Sequence, residues 1–372
     1  MPPLRVLLTS DLHLGMKFAG YPEAARAALV EARFTALDRV VAAANESASD
    51  LLVVAGDLFE SVNAAHRDIV RAAKSLGAFR GRLAAVLPGN HDFISGEDKL
   101  WTRFRDSAGD RVLLLDSAKA YPLSGYDVDA CLYAGPCTTK HSAANAIGWV
   151  RAASRGAPAA HHIGVAHGSV EGLSLDKEGS YYPMRLQELA DTGVAPWLIG
   201  HTHLPFPREP GPKDLVFIAG TPEPDGWDCT HEGSAWSLEL SDRGAIAAKA
   251  IRTGELRFRD ESRAVQSPAD LDRLERDLLA GEPRRTLARV RLSGRAPRET
   301  LDALEALRAR LSAALLHLDF RTDQLREEIT VEAIHREYPA GSFPHALLSQ
   351  LAGEDDQEGL QIAHDLLQEL KR

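Results

Sequence analysis

Leu87-Pro88-Gly89-Asn90-His91-Asp92 is the stretch on which the reading of this chain turns. It closes the apolar run at 83–87, which has the length and composition of a buried strand. Pro88 cannot continue a ladder, and Gly89 lets the backbone pass close to a neighbour. An amide, an imidazole and a carboxylate follow in a row. Such a trio makes a poor core and a good metal edge. Asn90 offers a neutral oxygen ligand, His91 a proton donor, and Asp92 a carboxylate able to orient that imidazole. Taken alone, the same six residues serve equally well as a turn with a helix cap.

Outward from this stretch the pattern repeats. An apolar strand at 4–9 runs into Ser10-Asp11-Leu12-His13. On extended backbone the period of two would point Asp11 and His13 to the same side, although the triplet taken alone reads better as a turn Asp with a chance His. A helix is predicted at 22–45 from the spacing of Ala25, Leu29, Phe34, Leu37 and Val41. A buried strand at 51–55 then ends in Gly56-Asp57-Leu58-Phe59, and a further amphipathic helix is predicted at 64–79. The order is strand, helix, strand, helix, strand, with polar residues at the carboxyl ends, where open α/β sheets place their sites.

Beyond Asp92, residues 94–110 read as a helix in which Trp101 and Phe104 pack. Short strands at 112–115 and 130–133 suggest a second sheet layered on the first, with a helix at 143–155. A strand at 163–166 ends in His167-Gly168, and another at 197–199 ends in Gly200-His201-Thr202-His203. Further strands fall at 216–221 and near 235–239 and 245–252. After Ile251 the composition shifts. Residues 252–285 are charged and helix-prone, and a small α/β unit follows, with strands at 287–292, 318–320 and from 325, around a helix at 299–316. Pro339-Ala340-Gly341 breaks this unit. Two amphipathic helices in 343–370 then flank the acidic turn Glu354-Asp355-Asp356. The expected division is 1–251, 252–338 and 339–372.

A chain of 372 residues can bury one large core or two modest ones. With 44% hydrophobic and 26% charged residues it has a soluble, globular composition, and no apolar run reaches a membrane span. The N-terminus enters a strand directly, without the pattern of a secretory signal. Cys131, Cys137 and Cys229 lack zinc spacing, so reduced thiols in a cytoplasmic protein are expected. The net charge of −10 argues against nucleic acid, but its distribution weakens the objection. The balance is −6 over residues 1–250, +3 over 251–321, where every cation is Arg, and −7 over the last 51 residues.

The strand ends together supply Asp11, His13, Asp57, Asn90, His167, His201 and His203. Seven oxygen and nitrogen donors are too many for one tetrahedral zinc. They suit two adjacent ions of higher coordination, manganese, iron or zinc, with one carboxylate bridging. Ions roughly 3.5–4 Å apart can share a hydroxide and grip both sides of a phosphoryl centre.

The ordered series DLHLG, GDLF, GNHD, HG and GHTH resembles the calcineurin-like metallophosphoesterase superfamily over roughly residues 4–250. The resemblance implies a two-layered β-sandwich core flanked by helices, with a smaller C-terminal α/β capping domain. It implies that Asp11, His13, Asp57 and His203 hold one metal and that Asp57, Asn90, His167 and His201 hold the other. His91 would then be the catalytic imidazole, with Asp92 behind it. Ser10–Gly15, the GDLF form and Ala219-Gly220-Thr221-Pro222-Glu223 most resemble the SbcD-type DNA repair nucleases. That likeness implies a manganese-dependent exonuclease or endonuclease that binds DNA and works with an SbcC-like coiled-coil ATPase. A homodimer through helices near 64–79 or 94–110 would follow from the same likeness. Glu60 departs from the pattern, because some members carry a His there that helps place the DNA strand. The alternatives are a hydrolase of small nucleotides or phosphomonoesters, and a binding module on the same fold.

Overall fold

β1 (Leu4–Thr9), β2 (Leu51–Ala55) and β3 (Leu83–Leu87) are buried along almost their whole length. A strand covered on both faces needs apolar residues at every position, so β2 and β3 read as unbroken hydrophobic runs and β1 is interrupted only by the exposed Arg5 before it ends in Thr9. The computed structural model describes residues 3–96, 99–153, 158–176, 178–354 and 356–370. In it β1 pairs parallel with β2, and β2 with β3. β4 (Val112–Leu114) extends the sheet beyond β3, and β10 (Ser234–Leu240) and β11 (Ile246–Arg252) extend it antiparallel beyond β1, giving the order β11-β10-β1-β2-β3-β4. A second sheet has the order β5 (Ala120–Pro122), β6 (Ala130–Gly135), β7 (His161–His167), β8 (Trp197–Gly200) and β9 (Val216–Ile218).

Alternation sorts the side chains into layers. Val6, Leu8, Val53, Ala85 and Leu87 meet Leu132, Ile163, Val165, Leu198 and Phe217 in one buried cluster between the sheets. The intervening Leu7, Leu52, Val54 and Val86 pack instead on Phe34, Leu37, Ile69 and Trp101 of the helices Glu23–Glu46, His66–Gly77 and Lys99–Ser107. The far face of the second sheet is covered in part by Leu189 of the helix Leu186–Asp191. The mixed α/β sandwich agrees with the fold class expected from the sequence. Its consequence for function is that β1, β2, β3, β7 and β8 end along one edge, each with an expected ligand at its last residue or just beyond it.

The chain divides into units Met1–Phe258 and Arg259–Arg372. One expectation fails at this point. Residues 257–264, read as helix-prone, form β12 (Arg257–Ala264), and the helix is confined to Pro268–Leu279. β12 is an edge strand in the order β12-β13-β14, with β13 (Thr286–Ala296) central and β14 (His317–Glu327) beyond it. A half-exposed edge strand carries charged residues without penalty, so no apolar alternation betrays it. β14 is also one strand, where the sequence suggested two fragments.

The tail helices Phe343–Gly353 and Gln357–Leu370 share a small core with Ile334 and Tyr338 of the preceding segment, through Leu348 and Leu360. The cluster draws residues from both sides of position 339. Asp355 of the expected acidic turn lies outside the described residues, as do residues 97–98 and 154–155 of two expected helices.

Candidate metal centre

β1 stops at Thr9, and Asp11 and His13 follow with φ of 55° and 47°. The extended D-x-H geometry expected from the sequence is therefore not adopted. The two side chains converge through left-handed backbone held by neighbouring main chain. Asp11 N donates to Gly56 O, His13 N to Asp57 O and Leu14 N to Leu58 O. Asp57 and His201 also have positive φ, 52° and 98°. Non-glycine residues seldom sit there, at a cost of roughly 1–3 kcal/mol each, and such strain collects where side chains must meet at a site. Two glycines are steric necessities. A Cβ on Gly56, itself at φ +94°, would lie 2.0 Å from His167 Nδ1, and one on Gly89 would lie 2.2 Å from Asp57 Oδ1.

All seven expected ligands meet at this edge. Asp11, His13 and His203 bring one donor atom each within 4.8 Å of one another, and so do Asp11, Asp57 and His167. Asn90 Oδ1 lies 3.0 Å from His167 Nε2 and 3.2 Å from His201 Nδ1. The main-chain N–H of His201 donates to both Asp11 carboxylate oxygens, at 3.0 and 3.1 Å.

The outer nitrogens of three rings explain what the inner ones are for. His13 Nδ1 faces Glu60 Oε2 at 2.9 Å, His203 Nδ1 faces Asp225 Oδ2 at 2.7 Å, and His167 Nδ1 faces Ala55 O at 2.9 Å. Each partner is an acceptor, so each Nδ1 carries the hydrogen and each Nε2 turns a lone pair inward. His13 Nε2 and His203 Nε2 then oppose each other at 3.2 Å. His167 Nε2 opposes Asn90 Oδ1 at 3.0 Å and Asp57 Oδ2 at 3.3 Å. Converging lone pairs and carboxylates need a cation between them, and oxygen and imidazole donors without thiolate fit manganese, iron or zinc.

In the metal-free chain protons take that place. Burial opposes charge on His167, but the Asp57 carboxylate beside it prevails and its pKa rises to about 9. Burial opposes charge on Asp57 in turn, and the charge and hydrogen bond of His167 still hold it below the ordinary carboxylate range. Burial also acts against His203, yet the hydrogen bond to Asp225 and the charge of Asp11 lift it to about 9. Burial and the neighbouring His167 push His201 down to about 4.

His91 lies beside this group with Nδ1 at 3.2 Å from the main-chain oxygen of Glu60 and 3.7 Å from its carboxylate. Asp92 does not stand behind it as expected. Its oxygens accept from the main-chain N–H of Phe59 (2.9 Å) and Gly89 (2.6 Å), fully buried. Burial and the charge of Asp57 push its pKa up to about 8. Asp92 thus ties the Gly89 turn to the loop after β2, and the carboxylate facing His91 is Glu60. Both carboxylate oxygens of Asp92 are engaged by main-chain donors, one in its own turn and one in the loop after β2.

Two residues at the centre were not among the expected ligands or their partners. Asp225 holds His203 Nδ1, and Arg33, 1% exposed, reaches Asp225 Oδ2 at 3.3 Å. Arg33 also donates to Thr221 Oγ1 (2.8 Å) and Glu223 O (2.9 Å), and the Thr221 hydroxyl donates to Asp11 O. Arg33 lies in the middle of a predicted helix and nothing in its spacing separates it from a surface cation. The two acids of Thr221-Pro222-Glu223-Pro224-Asp225, in a proline-rich loop, were the one available cue, and it pointed to Asp225 alone.

The calcineurin-like phosphoesterase family model matches residues 4–215. An uncharacterized metallophosphoesterase of Bacillus subtilis (strain 168), YhaO, is 28% identical over 209 residues, 54% of this chain and 48% of its own length. A transmembrane protein with metallophosphoesterase domain from Danio rerio is 32% identical over 119 residues, 32% of this chain and 23% of its own. The matches thus span about half of the first relative and under a quarter of the second. Among solved structures, TT1561 of Thermus thermophilus aligns with 12% identity and a TM-score of 0.42, covering 68% of this chain and 99% of that one. Among the described residues no helix is long and apolar enough to cross a membrane.

Proposed function

The chain belongs to the calcineurin-like phosphoesterase family, and from that premise we propose that it is a two-metal phosphodiesterase acting on DNA, of the SbcD type. The observation that carries the hydrolytic part is the set of imidazole lone pairs and carboxylates converging on one strand-end edge. Asp11, His13, Asp57 and His203 would hold one divalent ion, and Asp57, Asn90, His167 and His201 the other, manganese being our choice for both. Such a pair, when bound, activates water and neutralises charge on a phosphoryl group. Glu60, Asp225 and Ala55 hold three ligand rings with Nε2 inward. The contact between His91 Nδ1 and Glu60 O leaves Nε2 to face an ester and to hold a proton for the departing oxygen.

The choice of DNA rests on the motif forms Ser10–Gly15, Gly56–Phe59 and Ala219–Glu223. The arginines of the second unit give it less support than their number suggests. Arg289 and Arg291 both reach Asp260 at 2.8 Å, and Arg321 reaches Asp319 at 2.8 Å. Much of that charge is therefore spent within its own sheet. The tail presents Ile362, Leu366 and Leu370 to solvent at helical spacing, and we assign this face to the coiled-coil ATPase partner. Ile362→Glu with Leu366→Glu is expected to abolish co-purification with such an ATPase without lowering Tm.

Purified protein offered plasmid, linear duplex, single strand and p-nitrophenyl phosphomonoester in manganese tests the substrate. Turnover of DNA is expected. Turnover of the monoester alone would replace this reading with that of a small phosphomonoester hydrolase.

A further inference from the structure

A cavity of about 310 Å³ opens beside the metal centre. Its floor is the turn His201-Thr202-His203-Leu204, and its walls come from the loops carrying Leu173–Leu175 and Asp225–Cys229. Ser174 Oγ and Thr202 Oγ1 hydrogen-bond at 2.6 Å, so one wall is fastened to the floor. The mouth is apolar. Leu175 is 97% exposed and Leu204 44%, and neither side chain is spent on the core. Large apolar groups left in water at the rim of a polar centre mark a contact surface for a ligand.

The walls also say what the ligand is not. Asp228 lines the cavity beside Asp225, whose charge Arg33 and His203 already take up, and the lining residues include no Lys or Arg, so a phosphate placed there would meet a carboxylate and no free cation. The phosphoryl group belongs at the histidines and the cavity beside them is left for the uncharged part of the ester. We propose that this cavity is a specificity subsite for a flat, uncharged aromatic group esterified to the reacting phosphate, of the size of a nucleobase or an aryl ring. Leu175 and Leu204 cover the ring, and the wall carboxylate of Asp228 can accept a hydrogen bond from its edge. The proposal rests on the phosphodiesterase reading above.

The test uses the manganese-loaded full chain and three p-nitrophenyl phosphodiesters, in which nitrophenolate is the leaving group on the His91 side and only the second ester group, left to the cavity, differs: methyl, phenyl or thymidine. KM is expected to be about tenfold lower for the two aromatic esters than for the methyl ester, the ratio for partial burial of one ring. Leu175→Ser and Leu204→Ser, each tested alone, should remove that difference and leave the methyl ester's kcat/KM unchanged. A thymidine ester preferred over phenyl identifies the occupant as a nucleobase, and the reverse identifies an aryl group. Equal KM for all three esters in the wild type, or a difference that survives both variants, overturns the subsite. If none of the esters turns over, the phosphodiesterase reading fails separately. Binding of thymidine 5′-monophosphate against inorganic phosphate then decides the subsite: nucleotide binding about tenfold tighter in the wild type but not in the variants supports it, and equal binding overturns it.

Discussion

Removing the Asp225 carboxylate should damage stability and metal binding by separable routes. Asp225 is the acceptor for His203 Nδ1 at 2.7 Å and the ion partner of Arg33 at 3.3 Å. In Asp225→Ala the buried guanidinium keeps its bonds to Thr221 and Glu223 O but loses its counter-charge. Breaking one side of a buried pair costs about 3–5 kcal/mol, and the two surviving bonds place this case near 3. For a unit of this size that lowers Tm by roughly 6–12 °C. Loss of an outer partner of a metal-bound imidazole costs about 10–100-fold in metal affinity. A second effect opposes it. The wild-type His203, with a pKa of about 9, must release a proton before it can bind metal at neutral pH. That competition is worth up to about 100-fold at pH 7, and less here because a third of the side chain meets water. The variant escapes it. Calorimetric titration with manganese should therefore give nearly equal affinities at pH 7 and a deficit that widens toward pH 8.5, with about one proton fewer released by the variant. Adding Arg33→Met to Asp225→Ala should recover Tm, because the whole pair is then gone, but not the affinity at high pH. Equal affinity and equal proton release at every pH would refute the role assigned to Asp225.

Three further outcomes are expected. Asp57→Asn should lose most manganese-dependent turnover while circular dichroism stays native, since the carboxylate lies at a strand end outside the apolar clusters; wild-type turnover would sink the two-metal reading. His91→Ser should keep its metal content by atomic absorption and lose about 10²–10⁴-fold in kcat, whereas loss of metal would make His91 a ligand. In the metal-free protein, His167 and His203 are both raised to about 9 from an ordinary 6.5, so the stability they contribute is complete below pH 6.5 and lost as pH rises through 9. Tm in EDTA should accordingly fall across pH 6.5–9, and a flat profile would show that these rings are not held protonated.

What the sequence determined by itself follows from burial on both faces. β2 and β3 had to be apolar throughout and β1 nearly so, with Arg5 its one exposed position, and their polar endings stood out against that background, so the first three strands and all seven candidate ligands were legible as strings of residues. β12 was not legible, because an edge strand with exposed faces imposes no pattern on its sequence. The convergence of Asp11 and His13 was anticipated for the wrong reason. Their direction comes from left-handed backbone zipped to the loop after β2, a contact between segments more than 40 residues apart. Asp92 shows the same limit in reverse. Adjacency in sequence suggested a partner for His91, but the Gly89 turn spends that carboxylate on its own backbone and hands the position to Glu60, from another strand's loop. Arg33 and Asp225 stand 192 residues apart and meet only because the helix Glu23–Glu46 packs under the loop that follows β9. Candidacy as a ligand is a property of residue type and can be read in order. Which nitrogen of each ring turns inward depends on acceptors brought from elsewhere in the chain, and only the packed tertiary structure supplies them.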